Sequence, residues 1–259
     1  SVYTFACLRM DQFVHGRVLF AGDCAHGVSP FGARGANSGV QDADNLAWKL
    51  DWVLKGRAGA DLLASYGPER EYAADENILN STRATDFITP KSDISRLFRD
   101  AALDLAREHP FARRIVNSGR LSVPATLHTS PLNTTDTDVF EGKQVPGAVL
   151  TDAPVQRADG TPSWLLRELG SDFTLLVFGA APAWAAQLAH VQAITVGTDL
   201  IDDQGLLAQR LDATPGTAYL IRPDQHVCAR WRQPTQAAVQ AALAIATAQS
   251  TVTSAGTAA

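Results

Sequence analysis

A carboxylate and several loop-forming residues follow an apolar run near the start of the chain. The run Val18–Ala21 has the length of a buried parallel strand, and Gly22-Asp23 ends it. A loop with proline and glycine then leads into a helical pattern from Ser38 to about Leu54. Backbone amides at a helix start lack partners and favour negative charge. The order of strand, loop and helix therefore predicts a site for an anion or a cofactor.

The polar residues of this stretch have both chemical and structural interpretations. The carboxylate of Asp23 can accept hydrogen bonds from a sugar hydroxyl, but it can equally cap the turn that follows. His26 is more typical of a hydrogen-bonded structural or exposed histidine than of a catalytic one. Arg34 either brings positive charge to the site or is a solvated loop residue. The residues alone leave these alternatives open.

The loop and the helix that follow must position these groups. Pro30 fixes its own backbone angle, while Gly32 and Gly35 permit positive φ and close backbone approach. Apolar residues at three- and four-residue spacing predict that one face of the helix packs on a sheet. We expect Asp42 either at the surface or near a cofactor. Trp48 and Trp52, four residues apart, are interpreted as packing residues.

Length and composition limit the class of protein. The 259 residues can form one large or two modest domains, and the net charge of -5 without a basic stripe argues against nucleic-acid binding. Cys7, Cys24 and Cys228 are far apart and form no CxxC or Cys/His cluster, so we expect neither a disulfide scaffold nor a metal site. No membrane span or signal peptide is recognisable, and a reducing cytoplasm is the expected location.

Residues 16–50 resemble the second flavin-contacting motif of the FAD-dependent aromatic hydroxylases, the class A flavoprotein monooxygenases. The family pattern Gly-Arg-Val-x-x-x-Gly-Asp-Ala-Ala-His is matched at Gly16–His26, and Pro-x-Gly-Gly-x-Gly-x-Asn at Pro30–Asn37. The segment Asp42–Leu50 then matches Asp-Ala-x-Asn-Leu-Ala-Trp-Lys-Leu. The sequence departs from the pattern at Cys24, where alanine is usual, and at Ala33, where glycine is usual.

The resemblance implies a flavin site built by backbone groups and one carboxylate. Asp23 would bind the ribityl chain of FAD, and the amides of Ala36 and Asn37 would lie beside the pyrimidine edge, where reduced flavin is anionic. No catalytic side chain and no metal is implied. The implied cofactor-binding residues are Gly22, Asp23, Pro30, Gly32, Gly35, Ala36 and Asn37.

The family reaction supplies the expected function. NAD(P)H would reduce the FAD, O2 would form a flavin C4a-hydroperoxide, and a phenolic or similar aromatic substrate would be hydroxylated. No G-x-G-x-x-G follows a strand anywhere in the sequence, and the segment from Ser1 to Arg9 already has the pattern of a strand. We therefore expect the chain to be the C-terminal portion of a longer flavoprotein.

The expected fold is α/β in two parts. Residues 1–120 would form the C-terminal part of a Rossmann-like FAD-binding monooxygenase domain and residues 121–159 a linker. Residues 160–249 would form a thioredoxin-like domain that mediates a homodimer, and residues 250–259 a disordered tail. Because Cys228 stands alone in a predicted strand, this domain would lack thioredoxin redox chemistry.

Periodicity and breakers predict the individual elements. In the first part we expect strands at Ser1–Arg9 and Arg17–Ala21 and helices at Asp61–Phe87, Ser92–Arg107 and Pro110–Asn117, with Glu69 and Arg70 on a solvated surface. In the second part the predicted strands are Phe173–Phe178, Ala193–Val196, Ala218–Ile221 and Val227–Trp231, and the predicted helices are Pro182–His190 and Pro234–Ala248.

Two other functions remain open at this point. Because the G-x-G-x-x-G fingerprint is missing, the chain could bind no flavin and serve as a non-catalytic piece for assembly or dimerisation. A different flavoprotein with the same Gly-Asp motif, such as a reductase or a halogenase, is the third hypothesis. The thioredoxin-like segment argues against that third hypothesis, since it is typical of the phenol-hydroxylase type.

Overall fold

The computed structural model describes residues 2, 4–30, 32–117, 119–120 and 123–249 of the chain. These residues form two compact units: the first lies within Ser1–Asn45 and Tyr66–Ala125, the second within Leu46–Ser65 and Thr126–Ala259. The predicted tail, 250–259, lies outside the described residues. The helix predicted from Ser38 contributes residues to both units, whereas the prediction places all of it in the first part, residues 1–120. The predicted domain bounds stay a prediction.

The first unit combines short strands with long helices. Its strands are β1 (Leu8–Arg9), β2 (Val14–His15), β3 (Val18–Leu19) and β4 (His26–Gly27), with a 3₁₀ turn at Gly22–Cys24. Strands β1 and β4 pair antiparallel, as do β2 and β3. Its helices are the start of α1 (Arg34–Leu54), then α3 (Tyr66–Ile88), α4 (Asp93–Glu108) and α5 (Pro110–Val116).

Two strand predictions for this unit are wrong. The run Val18–Ala21 is not a buried parallel strand: only Val18 and Leu19 belong to a strand, β3 forms a hairpin with β2, and Val18 is 54% exposed. The strand predicted at Ser1–Arg9 is reduced to β1, while Ser1 and Tyr3 lie outside the described residues. The length of an apolar run indicates a strand but does not identify the strand with which it pairs. In the described part of this unit, both strand pairs are antiparallel.

Helix α1 begins at Arg34, four residues before the predicted start at Ser38. Small and polar residues fill its first turn, so the apolar repeat used for the prediction begins only later. The helix ends at Leu54, where Gly56 adopts φ +68° and the amide of Arg57 donates to the carbonyl of Trp52 at 2.8 Å. That glycine-terminated end is the one the sequence predicts.

The other helices of this region largely follow the predictions. The segment predicted as Asp61–Phe87 is divided into α2 (Asp61–Ala64), which belongs to the second unit, and α3. Ser92 caps α4 by accepting the Ser95 amide at 3.1 Å, and Pro110 begins α5. None of the described helices has both the length and the apolarity required to cross a lipid bilayer.

A mixed seven-stranded sheet forms the centre of the second unit, with strand order β11-β10-β7-β8-β9-β5-β6. Strand β7 (Phe173–Phe178) is buried on both faces, pairing parallel with β8 (Val191–Val196) and antiparallel with β10 (Ala218–Ile221). The other strands are β5 (Pro154–Arg157), β6 (Pro162–Trp164), β9 (Leu200–Ile201) and β11 (Val227–Trp231). Helices α6 (Leu165–Glu168), α7 (Leu206–Arg210) and α8 (Gln236–Ala246) complete it.

The predicted elements of this unit are mostly confirmed. Strands β7, β10 and β11 have the predicted bounds, and α8 lies within the predicted Pro234–Ala248. The helix predicted at Pro182–His190 is instead a 3₁₀ segment, Ala183–Gln187. Trp48 and Trp52 are buried and make edge contacts with Phe173, as packing residues would.

Candidate cofactor-binding site

The Gly22-Asp23 turn lies directly after β3, within the first unit. Gly22 adopts φ +67°, a conformation that glycine reaches without strain. The side chain of Asp23 is exposed and makes no hydrogen bond to any described residue. The alternative in which Asp23 caps its own turn is therefore not supported. The turn presents an unpaired carboxylate that can accept hydrogen bonds.

The carboxylate of Asp42 in α1 is completely buried and fixes this turn. One oxygen, Oδ2, accepts the backbone amide of Gly22 at 2.9 Å and Nε2 of His26 at 2.6 Å. The other, Oδ1, accepts Nε of Arg70 at 2.6 Å. Burial penalises the charged carboxylate, but the His26 hydrogen bond and the positive charge of Arg70 outweigh it and lower the pKa of Asp42.

Three sequence-based expectations change at this cluster. Asp42 is not at the surface, and Arg70 is buried rather than on a solvated helix face. His26 is a hydrogen-bonded structural residue, as expected, and its ring stacks on Phe13 with centroids 5.7 Å apart. Glu69 is also buried and accepts Nδ2 of Asn45 at 2.8 Å, so its predicted exposure is wrong. When a helix packs through polar groups on its inner face, apolar spacing does not predict which of its charged residues are buried.

Two glycines allow the turn to lie against α1. A Cβ atom added to Gly39 would lie 3.3 Å from the Cα of Gly22, which is tighter than most real contacts of that kind. Gly39 occurs one turn before Asp42 on the same helix. The backbone contact and the Asp42 hydrogen bond thus hold the turn at the same place.

The loop before α1 reaches the helix through a left-handed residue. Gly32 has φ +89° and Ala33 has φ +51°, and the amide of Ala33 donates to the carbonyl of Pro30 at 3.0 Å. Pro30 is exposed, as is Gly32. Gly35, expected to allow a positive φ, is an ordinary helical residue of the first turn.

Because α1 begins at Arg34, the amides of Arg34, Gly35 and Ala36 lack acceptors within the helix. The amide of Asn37 is the first with an i-4 carbonyl, at Ala33, and the side-chain Nδ2 of Asn37 also donates to that carbonyl at 2.7 Å. The amides without an acceptor inside the helix therefore lie one position earlier than the expected pair Ala36 and Asn37.

Arg34 is a buried anchor and not a solvated loop residue. Its guanidinium donates to Oδ1 of Asn77 and to the carbonyls of Arg120 and Val123, the last at 2.9 Å. Burial lowers the pKa of Arg34. Nδ2 of Asn77 in turn donates to the hydroxyl of Ser38 at 2.7 Å. These bonds join the start of α1 to α3 and to the segment after α5.

A cleft of about 360 Å³ opens beside the start of α1. Of the residues expected to bind a cofactor, Gly32 and Asn37 line it; Gly22, Asp23, Pro30, Gly35 and Ala36 do not. The sequence prediction missed several polar residues of this region, because their partners lie far along the chain. The missed residues are Ser38, Gln41 and Asn77 at the cleft and Arg70 beside Asp42, whereas Asp42 was expected either at the surface or near a cofactor.

These features fit the flavin that the sequence motif implies. An unpaired carboxylate, a helix start with free amides and an adjoining cleft suit a ligand that combines hydroxyl groups with developing negative charge. No group of three or more potential metal-ligating side chains occurs among the described residues.

Two family models match the chain, one in each part. Residues 1–81 match the FAD binding domain model, and residues 143–251 match the model of the aromatic-ring hydroxylase C-terminal domain. The first match contains the Gly22-Asp23 turn, Asp42 and Arg70. The second contains every strand of the seven-stranded sheet.

Curated relatives agree with these matches. Over 83% of this chain, the sequence is 32% identical to a 3-(3-hydroxy-phenyl)propionate/3-hydroxycinnamic acid hydroxylase of Klebsiella pneumoniae. Over 86% of this chain, it is 31% identical to a 4-methyl-5-nitrocatechol 5-monooxygenase of a Burkholderia species. These matches cover 39% and 41% of the two relatives. The chain thus spans about two-fifths of the length of the curated relatives it matches.

Solved structures share the fold. The structure of a flavin-dependent monooxygenase, PieE, in complex with FAD and substrate aligns with a TM-score of 0.71 and 23% identity. The alignment covers 92% of this chain and 49% of the PieE chain. Aklavinone-11 hydroxylase in complex with FAD and aklavinone aligns with 95% of the chain and 46% of its own at a TM-score of 0.69 and 24% identity. The two family models and the curated relatives agree: the chain matches part of an FAD binding domain and the C-terminal domain of the aromatic-ring hydroxylases, and the solved structures share its fold.

Proposed function

We propose that this chain forms one part of the FAD site of an NAD(P)H-dependent monooxygenase that hydroxylates a small phenolic substrate with O2. The observation that carries the proposal is the exposed, unpartnered carboxylate of Asp23 in a turn that Asp42 holds against α1. The relatives named above act on hydroxylated aromatic rings, which supports a phenolic substrate class. NAD(P)H as the reductant rests on the family resemblance alone.

Each residue of the proposed site has a physical task. The Asp23 carboxylate accepts hydrogen bonds from the ribityl hydroxyls of FAD, which fixes the chain between the ring and the phosphates. The helix-start amides, including those of Gly35 and Ala36, stabilise negative charge on the pyrimidine edge, and Gly32 and Asn37 border the cleft beside it. Bound FAD supplies the oxygen-activating chemistry, while these residues bind and orient it.

The second unit has a supporting part in this proposal. The order β11-β10-β7-β8, with a parallel centre and an antiparallel hairpin, supports the thioredoxin-like assignment of residues 160–249. Cys228 is buried in β11, and burial raises the pKa of its thiol to about 12, so it is unsuited to disulfide exchange. A homodimer through this domain is part of the proposal, and light scattering tests it.

The location in a reducing cytoplasm is also proposed. It is supported by Cys7, Cys24 and Cys228, all three of which are free thiols in the structure. Disulfides form in oxidising compartments, so free cysteines including the exposed Cys24 fit a reducing one.

The test is whether the protein binds flavin and uses it. Protein purified from the complete reading frame should be yellow, bind FAD stoichiometrically and oxidise NAD(P)H faster when a phenolic compound is present. Substrate hydroxylation with incorporation of oxygen from O2 separates a monooxygenase from a reductase or a halogenase. Protein that stays colourless with added FAD would overturn the proposal and favour the assembly role.

A further inference from the structure

We propose that Asp42 is a positioning residue for the flavin: its negative charge holds the amide of Gly22 so that Asp23 is presented to the ribityl chain. This inference rests on the proposed function, because it concerns the same site. Asp42 touches no part of the proposed flavin position; it acts through the turn.

The geometry requires a carboxylate and not merely a polar group. Donors from three separate segments converge on Asp42: the amide of Gly22, Nε2 of His26 and Nε of Arg70. Both carboxylate oxygens are used as acceptors. An asparagine here would have one acceptor oxygen, and its NH2 group would face a donor on the other side. The buried guanidinium of Arg70 would then lack its counter-charge.

The turn has little other support on the helix side. Gly22 contacts Gly39 only through backbone atoms, and the 3₁₀ turn has no side-chain cap. Within the turn, the carbonyl of Ala21 accepts Sγ of Cys24 at 3.0 Å and the carbonyl of Gly22 accepts the amide of Ala25 at 2.8 Å. The hydrogen bond from the Gly22 amide to Asp42 is the polar contact that fixes this peptide to α1. Since Asp23 is the next residue, a rotation of that peptide displaces the exposed carboxylate.

A second buried pair in the same two helices provides a matched control. Nδ2 of Asn45 in α1 donates to Oε2 of Glu69 in α3 at 2.8 Å, and Glu69 is 2% exposed. Glu69 precedes Arg70 in the chain, and its hydrogen bond to Asn45 lies outside the Gly22-Asp23 turn. Glu69→Gln therefore removes a buried charge from the α1–α3 packing without releasing the turn.

The experiment is a double-mutant cycle on FAD affinity in protein from the complete reading frame. The dissociation constant of FAD is measured by quenching of flavin fluorescence for the wild type, Asp42→Asn, Asp23→Ala and the double variant. Urea midpoints are recorded for each, and for Glu69→Gln. We expect Asp42→Asn to raise the FAD dissociation constant about tenfold or more. The double variant should bind scarcely more weakly than Asp23→Ala alone, since Asp42 acts through Asp23.

Glu69→Gln should lower the urea midpoint while the FAD dissociation constant stays within about twofold of wild type. Wild-type affinity in Asp42→Asn, or a loss that adds fully to that of Asp23→Ala, would overturn the positioning role. If Asp42→Asn does not fold, Asp42→Glu, which keeps the charge but displaces it, must show the same coupling to Asp23. An unchanged affinity in Asp23→Ala itself would contradict the proposed flavin site instead.

Discussion

Asp42 accepts the backbone amide hydrogen of Gly22 at 2.9 Å, across twenty residues of sequence, and this bond attaches the Gly-Asp turn to the helix that follows it. Gly22 and Asp42 belong to separate segments of the family motif, Gly16–His26 and Asp42–Leu50. The hydrogen bond explains physically why an acidic residue accompanies the turn. It joins the exposed Gly22-Asp23 turn to a buried, charge-balanced core.

Replacing Ala33 with glycine should stabilise the first unit. Ala33 has φ +51°, where a Cβ atom costs roughly 1–2 kcal/mol, and the family has glycine at this position. The greater freedom of glycine in the unfolded chain offsets about 0.4–1 kcal/mol of that gain. Ala33→Gly should therefore raise the free energy of unfolding by up to about 1 kcal/mol in urea titrations.

Ala36→Gly is the matched control for that substitution. It lies in the first turn of the same helix with ordinary helical geometry, so glycine should lower the free energy of unfolding by about 1 kcal/mol or less. Equal destabilisation by both substitutions would show that residue 33 is not held in the left-handed region.

The buried pair of Arg222 and Asp224 should make the stability of the second unit depend on pH. Burial penalises the charge of Asp224, but the positive charge of Arg222 outweighs it and holds the pKa of Asp224 well below its usual range. A lowered folded-state pKa stabilises the fold above the ordinary carboxyl pKa, near 3.9, and this contribution is lost as the pH falls. Asp224→Asn should cost about 3–5 kcal/mol at pH 7.

The deficit of Asp224→Asn relative to wild type should shrink progressively as the pH is lowered from about 5 towards 3. Urea unfolding at several pH values measures it, with the exposed Asp203 as control, since Asp203→Asn should change stability by less than about 0.5 kcal/mol. A deficit that stays constant down to pH 3 would show that the Asp224 charge does not contribute.

Thiol reactivity should separate the cysteines by exposure. Cys24 is exposed at the Gly-Asp turn, whereas Cys228 is fully buried with a thiol pKa raised to about 12. A disulfide reagent at pH 8 should therefore modify Cys24 rapidly and leave Cys228 intact until denaturant is added. Cys24→Ser should remove the rapid phase. Modification of Cys228 in the native protein would contradict the non-redox role of the second unit.

The fold was most predictable where local pattern and environment agree. The apolar run Phe173–Phe178 is the fully buried β7, and β10 and β11 have the predicted bounds. The run Val18–Ala21 shows the limit of this method, because an apolar segment carries no information on its strand partners. The helix predicted at Pro182–His190 failed because its four alanines favour a helix in general but do not set its length or type.

The site was predictable only in its exposed half. The Gly-Asp turn and the loop glycines form a recognisable local motif. Glu69 and Arg70 were expected at exposed positions because charged helical residues usually are, while Asp42 was expected either at the surface or near a cofactor. The burial of all three depends on partners 16 to 28 residues away. The segment Asp42–Leu46 indicates these buried contacts only when it is considered together with Glu69 and Arg70 of α3.

The central claim is that the exposed carboxylate of Asp23 binds the ribityl chain of FAD. Because Asp23 makes no hydrogen bond to any described residue, Asp23→Ala should leave the urea midpoint of the apoprotein unchanged. One hydrogen bond to a charged group contributes about 1.5–3 kcal/mol, so the dissociation constant of FAD should rise about 10- to 100-fold. The decisive measurement is this dissociation constant, titrated for wild type and Asp23→Ala in protein from the complete reading frame. An increase of that size with an unchanged apoprotein midpoint supports the claim, and equal FAD affinity in the two proteins contradicts it.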